Sequence, residues 1–491
     1  MNMKQKFMVL LSASVLTGPL YAEQTVVTLK EAISIALQNN NQLKVSQTAV
    51  QIADAQYDQA MSAHYPTLDA SVSVMRIDEA PTFEMRGSTI IDNTQTIALY
   101  NSLSGAAAGD GNANTAGAYA FLAANTPAES TLPINMDVQM MGRDTAIAKL
   151  DMTLPLYTGG KISAITKQAS IGKLIAQEGK IKSENQIIFD VKRYYYGVVL
   201  TKKLEQLSKD TLERMSFISD LTSQLYKGGS MNVKKTDYLR SKLSVNLIES
   251  LHERLVAKEV LAKSALLNAM GVSWKHEVDV SENDFATPKM NKQMQTLVEE
   301  AYQYNPDFKT LKLAIDVHEA KMDEAQSEYL PSIALIGSVQ RMYNDYDYGL
   351  VNVTNENSWT IGVGLQWSIF NGMRTSSKVE QSRLEKLKLQ QQEVLLEEGL
   401  ALQVKKVFLD MDSSYKQYNI LVEAADTAEQ NRDLNTRAYQ EDMVQTKDVI
   451  EAQLFEAYTK GDFYRSQHDH ALSLAEADYV IGAAIDNAME Q

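Results

Sequence analysis

Residues Leu29 to Met75 align without a gap on Met294 to Gln340, 265 positions further along the chain. Identical residues meet at Ala36 and Ala301, Asn40 and Asn305, Lys44 and Lys309, Asp58 and Asp323, Pro66 and Pro331, and Ser73 and Ser338. Other pairs keep their character, such as Val50 with Ile315 and Asp54 with Glu319. Each copy reads as a helix that stops at a proline and turns at once into a strand. A duplicated unit at this distance predicts two equivalent halves, residues 23–290 and residues 291–491.

The segment ahead of the first half, residues 1–22, reads as a secretory signal. Lys4 and Lys6 precede an apolar run from Phe7 to Leu16, and Ala22 follows a Gly18-Pro19 breaker, which sets the expected cut before Glu23. The run is too short for a membrane-spanning helix. Losing Lys4 and Lys6 would move the formal net charge from -15 to -17, a balance that opposes nucleic-acid binding. The chain has no cysteine, so disulfides, thiol catalysis and thiolate zinc sites are excluded.

Two kinds of segment alternate after the signal. Leu29–Tyr65, Ile162–Lys227, Thr236–Met270, Asn291–Leu330, Arg374–Glu441 and Val449–Ala483 are rich in helix formers and poor in breakers. Leu204, Thr211, Ile218 and Leu225 fall every seven residues, as do Val404, Met411, Tyr418 and Ala425. That spacing predicts helices wound around partner helices. The two longest would reach roughly 100 Å at 1.5 Å per residue. The shorter ones, about half as long, would match a long helix when stacked in pairs.

Four short segments have period two instead. In Thr67–Arg76, Leu68, Ala70, Val72 and Val74 alternate with Asp69, Ser71 and Ser73. Ala146–Leu156, Ser332–Met342 and Trp359–Phe370 continue the pattern. Strands of about ten residues, apolar on one side and polar on the other, are the signature of an outer-membrane β-barrel. Between the first two lies Ile77–Thr145, rich in Ala, Gly, Asn and Thr, which reads as a long external loop or a low-complexity insertion. Four strands cannot close a barrel, and an open edge in lipid leaves backbone groups unpaired. The barrel must be shared: two chains would give eight strands, and three would give twelve and leave room for a lumen.

The order of these parts resembles the TolC-type outer-membrane efflux proteins over essentially the whole mature chain. The resemblance rests on the helix, Tyr65-Pro66 or Leu330-Pro331, strand pattern. It rests equally on the corners Pro155-Leu156-Tyr157-Thr158-Gly159-Gly160-Lys161 and Ser368-Ile369-Phe370-Asn371-Gly372-Met373-Arg374, with Gly159, Gly160 and Gly372 at the turns. It implies an α+β membrane protein: a homotrimer with a twelve-stranded barrel in outer-membrane lipid, continuous with an α-helical coiled-coil barrel in the periplasm. It also implies a passive exit duct that takes cargo from a periplasmic adaptor and an inner-membrane transporter, with no cofactor and no catalysis.

Catalytic patterns are missing from the sequence. Gly159-Gly160-Lys161 lacks the spacing of a phosphate loop, and His318-Glu319 has no second histidine four residues on. His468 and His470 diverge on a helix, so all these histidines read as solvent-facing polar residues and the carboxylates as a solvated face. The informative residues lie where each long helix turns back. By position, Thr236, Asp237 and Tyr439 match the family's tip contacts and gate, and Asp448 and Glu451 match its entrance acidic ring. Asp442 stands where the family often has a glycine, and Val444 where a gating arginine can occur. A coiled-coil structural or adaptor protein without a pore would explain the helices but not the four alternating segments. A secreted enzyme would need a nucleophile-base or metal cluster that the chain does not show.

Overall fold

The computed structural model describes residues 26–139, 142–281, 288–289, 291–344, 357–441 and 443–484. The signal segment, Asp442, and Tyr346 and Tyr348 of the second strand connection lie outside these residues. In chain order the first elements are β1 Val26–Val27, α1 Leu29–Asn39, α2 Asn41–Ser62, β2 Thr67–Arg76, β3 Thr82–Asp92, α3 Thr94–Gly109, α4 Ala113–Asn125, β4 Glu129–Gln139 and β5 Asp144–Tyr157. Then follow α5 Lys161–Lys227, α6 Lys235–Ala269, β6 Asp279–Val280, α7 Met294–Tyr304, α8 Pro306–Ser327, β7 Ser332–Asn344, β8 Asn357–Gln366, α9 Arg374–Gln440 and α10 Thr446–Ile481. Two compact units emerge. One comprises Met1–Ala60, Ser163–Gln326 and Gly372–Gln491, the other Met61–Ile162 and Ser327–Asn371.

In the helical unit, element lengths recur in the same order. α1 and α7 each have 11 residues, α2 and α8 each 22, and α5 and α9 each 67. Seams follow the seven-residue spacing: Thr211, Ile218, Val404, Met411 and Ala425 are all buried. A larger core gathers Val191, Tyr195 and Val198 of α5 with Ala32 and Ala36 of α1 and Leu266 of α6. Tyr195 sends its hydroxyl to the β1–β6 pair, 3.2 Å from Val27 O and 3.1 Å from Ser281 O. Lys192, itself buried, meets Asp478 of α10 at 2.9 Å.

The sequence pattern predicts one helix over Leu29–Tyr65 and another over Asn291–Leu330; each is in fact two. Asn40 and Asn305 are extended, with ψ of 126° and 121°. Each asparagine does two jobs. The Asn40 side-chain oxygen accepts from Gln42 N at 2.8 Å and starts α2, while its amide donates to Ala269 O at 2.7 Å. Asn305 likewise accepts from Asp307 N at 2.9 Å and donates to Val480 O at 2.8 Å. Thus each break is bonded to the last carbonyls of the helix that ends beside it, α6 or α10. Those helices end in Gly271 and Gly482, at φ 70° and 88°. A Cβ on Gly271 would lie 2.7 Å from Asn39 C and Asn40 N, and one on Gly482 would lie 2.7 Å from Tyr304 O. Only glycine fits such an approach.

The strand unit holds the antiparallel sheet β2-β5-β7-β8. Three of the four expected strands match closely. The fourth, β8, ends at Gln366 rather than Phe370, and Trp367 Nε1 instead donates to Tyr329 O at 3.0 Å. Register decides the faces, because directly paired residues project to the same side. Ala70 pairs with Leu150, Leu150 with Val339, and Val339 with Trp359. The next row is Leu68, Met152, Gly337 and Ile361, and beyond it Leu154, Leu335 and Val363 align. On the opposite face Asp69, Asp151, Ser338 and Thr360 form one row and Ser71, Lys149, Gln340 and Ser358 another. The Ala70, Leu68 and Leu154 rows are apolar, whereas the next one on the same face, Val72, Ala148, Arg341 and Asn357, turns polar on β7 and β8. Among the described residues, β2 and β8 each pair on one side only.

Ile77–Thr145 is neither a bare loop nor a structureless insertion over its described residues. β3 and β4 pair from Thr82↔Gln139 to Asp92↔Glu129 and carry α3 and α4 at their far end. Gly159, Gly160 and Gly372 take φ of 64°, 90° and 68° at the strand-to-helix corners, as the sequence suggests. Gly159 has a second constraint, since a Cβ there would lie 2.7 Å from Ser327 O.

Replacing Gly271 or Gly482 by alanine should destabilise the helical unit by about 1–2 kcal/mol from backbone conformation alone, with steric overlap added. Gly160→Ala meets open space and should cost less. Thermal melts of the purified variants would check the order; equal melts for all three would contradict the close approach.

Candidate functional site at the helical hairpin tips

Two hairpins turn back in the helical unit, α5 into α6 and α9 into α10. The first turn closes through Gly228 N to Gln224 O at 2.8 Å and Ser230 N to Leu225 O at 3.1 Å. Asp237 then accepts from Lys234 N at 3.0 Å, and Asp448 accepts from Gln445 N at the same distance. Both carboxylates sit in the first turn of a helix, where unpaired amides and the helix dipole favour an anion. Asp448 is thus partly engaged in capping, while Glu451 and Thr236 are exposed.

Tyr439 is placed differently from the other tip residues, at 2% exposure. Its hydroxyl lies 2.8 Å from Thr222 Oγ1 and 3.1 Å from Thr446 Oγ1. Thr222 already donates to Ile218 O at 2.7 Å, which leaves Tyr439 to donate to Thr222 and to accept from Thr446. Met215, Ile218, Val449 and Ile450 enclose the triad, with Val444 packed against them. The structure therefore brings Tyr439 to α5 and α10 of its own chain. Thr236 and Asp237 remain at the start of α6, where Tyr226 stacks on Tyr238 with ring centres 5.9 Å apart.

Further along the hairpins lies a cluster that sequence reading missed. Glu456 of α10 is 0% exposed. Arg214 of α5 reaches it at 3.0 Å, Lys460 at 2.9 Å and Arg432 of α9 at 3.5 Å. Glu429 shares Lys460 at 2.7 Å, and Arg214 Nε also donates to Gln453 Oε1 at 3.0 Å. Three helices are tied at one point. A signal was available, because Val449, Gln453, Glu456 and Lys460 follow the 4-3-4 spacing of a coiled-coil seam. A carboxylate at such a position is buried by its spacing, not solvated as composition suggests.

His470 also departs from the solvent-facing reading, being 0% exposed. Its Nδ1 lies 3.0 Å from Ser414 Oγ and its Nε2 3.0 Å from Pro288 O. His468 is half-buried beside Asp469, and His318 pairs with Glu385 at 3.2 Å. Among α5, α6 and α10 runs a groove of about 910 Å³ walled by Leu207, Ile248, Leu255, Ile450 and Leu454, which Glu451 also lines. Among the described residues no three His, Cys, Asp or Glu side chains gather as a metal site.

The cluster sets a pH window. Its bond to Lys460 holds Glu429 below the ordinary carboxylate value. Burial pulls Lys460 down, but its bonds to Glu429 and Glu456 outweigh that and raise it. A depressed acid contributes fully above its unfolded value and loses that contribution as pH falls through the folded one; a raised lysine does the reverse at alkaline pH. The link is therefore complete across the neutral range. Glu456→Gln keeps the shape but leaves three cations without their buried partner, and should cost about 3–5 kcal/mol. The exposed Glu451→Gln should melt like the parent chain. If the two variants melt alike, the cluster does not hold the helices together.

Residues 297–454 match the family model described as outer membrane efflux protein. A curated relative, outer membrane protein TolC of Vibrio cholerae serotype O1, is 25% identical over 233 residues, which are 43% of this chain and 48% of the relative. The match thus spans about half of that relative's length. Among solved structures, the Campylobacter jejuni CmeC outer membrane channel superposes with a TM-score of 0.71 at 14% identity, covering 94% of this chain and 88% of that one. The open state of the Neisseria gonorrhoeae MtrE outer membrane channel gives 0.68 at 14% identity, covering 93% and 89%. These two likenesses establish the fold. With the family match over residues 297–454 and the relative beside them, the chain resembles the TolC-type outer membrane efflux proteins and resides in the outer membrane.

Proposed function

We propose that this chain is one third of an exit duct, a homotrimer that passively conducts cargo from a periplasmic adaptor and inner-membrane transporter to the outside. The observation that carries the reading is the sheet register. It aligns Ala70, Leu150, Val339 and Trp359, with the Leu68 and Leu154 rows beyond them, on one apolar face that turns polar at Arg341 and Asn357. Trp359 is 75% exposed and Val363 65%, a surface that water disfavours and lipid suits. The opposite face, with Ser71, Lys149, Asp151 and Gln340, suits an aqueous lumen. Two open edges then call for neighbouring copies, and three copies of four strands give a twelve-stranded barrel.

The helical unit supports the periplasmic half of the reading. α5 and α9, at 67 residues, are each about 100 Å long, far beyond what a globular core requires. The recurring element lengths fit two pseudo-equivalent halves per chain, so that three chains present six similar hairpins in a ring. A tripartite efflux pump and a type I secretion system would both use such a duct. A pore-free coiled-coil adaptor is disfavoured by the same apolar sheet.

Entrance chemistry follows from the tips. Asp448 and Glu451 would line the mouth as a ring of carboxylates, with Thr236 and Asp237 making contacts between neighbouring hairpins and Tyr439 holding the tip in shape. Gathered like charges draw cations and disfavour anions. The test is planar-bilayer recording of the detergent-purified trimer. Parent protein should conduct with cation preference and be blocked by trivalent cations. The double variant Asp448→Asn and Glu451→Gln preserves the helix cap and should lose both properties while remaining trimeric. Unchanged selectivity would return the two acids to an ordinary helix surface, and a detergent-independent monomer without conductance would overturn the duct.

A further inference from the structure

The β3–β4 hairpin ends in a pair of helices whose composition departs from the rest of the chain. Charged residues make up 22% of the protein, yet from Asn93 to Ala128 only Asp110 is charged. The pair is a built element. Asn93 Nδ2 donates to Pro127 O at 3.1 Å and clamps its base, and Ser104 Oγ donates to Ala116 O at 2.8 Å across the two helices.

Each helix has two apolar faces, and only one is used. Ile97, Tyr100, Ser104 and Ala107 of α3, three or four residues apart, form the shielded side toward Ala116, Tyr119 and Ala123 of α4. On the other side Leu99 is 56% exposed and Phe121 66%, with Leu103 and Leu122 beside them also open. A helix covered on one apolar stripe and bare on a second has the pattern of a helix between two partners. At 16 and 13 residues the helices are too short to cross a bilayer.

We propose that these open faces bind copies of themselves, so that the hairpins of neighbouring chains form a helical collar at the outer end of the barrel. The outer face of α3 in one copy packs against the outer face of α4 in the next, a head-to-tail contact that closes into a ring. The proposal rests on the trimeric duct reading. Two observations select a second copy as the occupant. The hairpin is carried by the β2–β5 connection of a sheet with open edges at β2 and β8, so neighbours joined there hold their hairpins at high effective concentration. It is also nearly uncharged on a chain of formal charge -15, so copies approach here without the like-charge repulsion met elsewhere.

The absence of cysteine makes the test clean. Leu103→Cys with Phe121→Cys places one thiol on each outer face. In intact outer membranes a short bis-maleimide should convert this variant largely to covalent trimer. Ile97→Cys with Ala116→Cys, on the inner faces, should give no adduct between chains. Native mass measurement of the untreated protein separates the two ideas. Trimers without outer-face cross-links would overturn the collar and leave the duct standing, whereas loss of trimers would overturn both. A fluorophore on the Phe121→Cys variant that is quenched by brominated lipid, with no cross-link, would assign the open faces to the membrane instead.

Discussion

A backbone amide or carbonyl left unpaired in hydrocarbon costs several kcal/mol, and β2 and β8 each present a row of them along one side. The apolar face suits lipid, and lipid forbids open edges. The ring closure among copies that we propose would resolve the conflict without any change in the chain. In the proposed duct, strands arranged in a ring would arrange what continues from them too, so that long helices would become the wall of a tube. The two 67-residue helices follow the strand corners directly in the chain, and on that reading their length serves reach, not core volume.

Long helices need fixed points, and the chain supplies them by bonding across large sequence distances. Asn40 and Asn305 each interrupt a helix to hold the end of another, and Gly271 and Gly482 make room for the contact. Lys192 with Asp478, and Glu456 with its three cations, tie α5 to the second hairpin at separate levels. The buried pairs carry a desolvation penalty and give geometric definition in return. They fix how the two hairpins of one chain lie together, which the proposed entrance requires. The efflux-protein family match covers α7 through the start of α10 and so includes one of these asparagine breaks and Glu429 and Arg432 of the cluster.

Strands were legible in the sequence because side-chain alternation is local: β2 is read to the residue and β5 and β7 to within two. Long helices and their seams were legible for the same reason. What escaped depends on partners distant in the chain. The helical pattern runs straight through Asn40, and nothing nearby reveals that Ala269 O will claim its amide. His470 reads as polar surface until Ser414 and Pro288 are seen around it. Glu456 was hidden by composition, although its seam spacing marked it as buried. Among the tip residues, nothing local reveals the partners of Tyr439, since Thr222 lies 217 positions away.

The lipid-facing sheet is the premise under the duct, and β8 tests it most directly. Nitroxide labels placed singly from Ser358 to Leu365 can be probed for collision with oxygen, which concentrates in lipid, and with a water-soluble nickel complex. Reconstituted protein should show the two accessibilities alternating out of phase. Oxygen should be favoured at Trp359, Ile361, Val363 and Leu365, and nickel at Thr360, Gly362 and Gly364. Equal access of the nickel complex at every position would mean that both faces of the sheet are wet and that the strands do not line a membrane barrel.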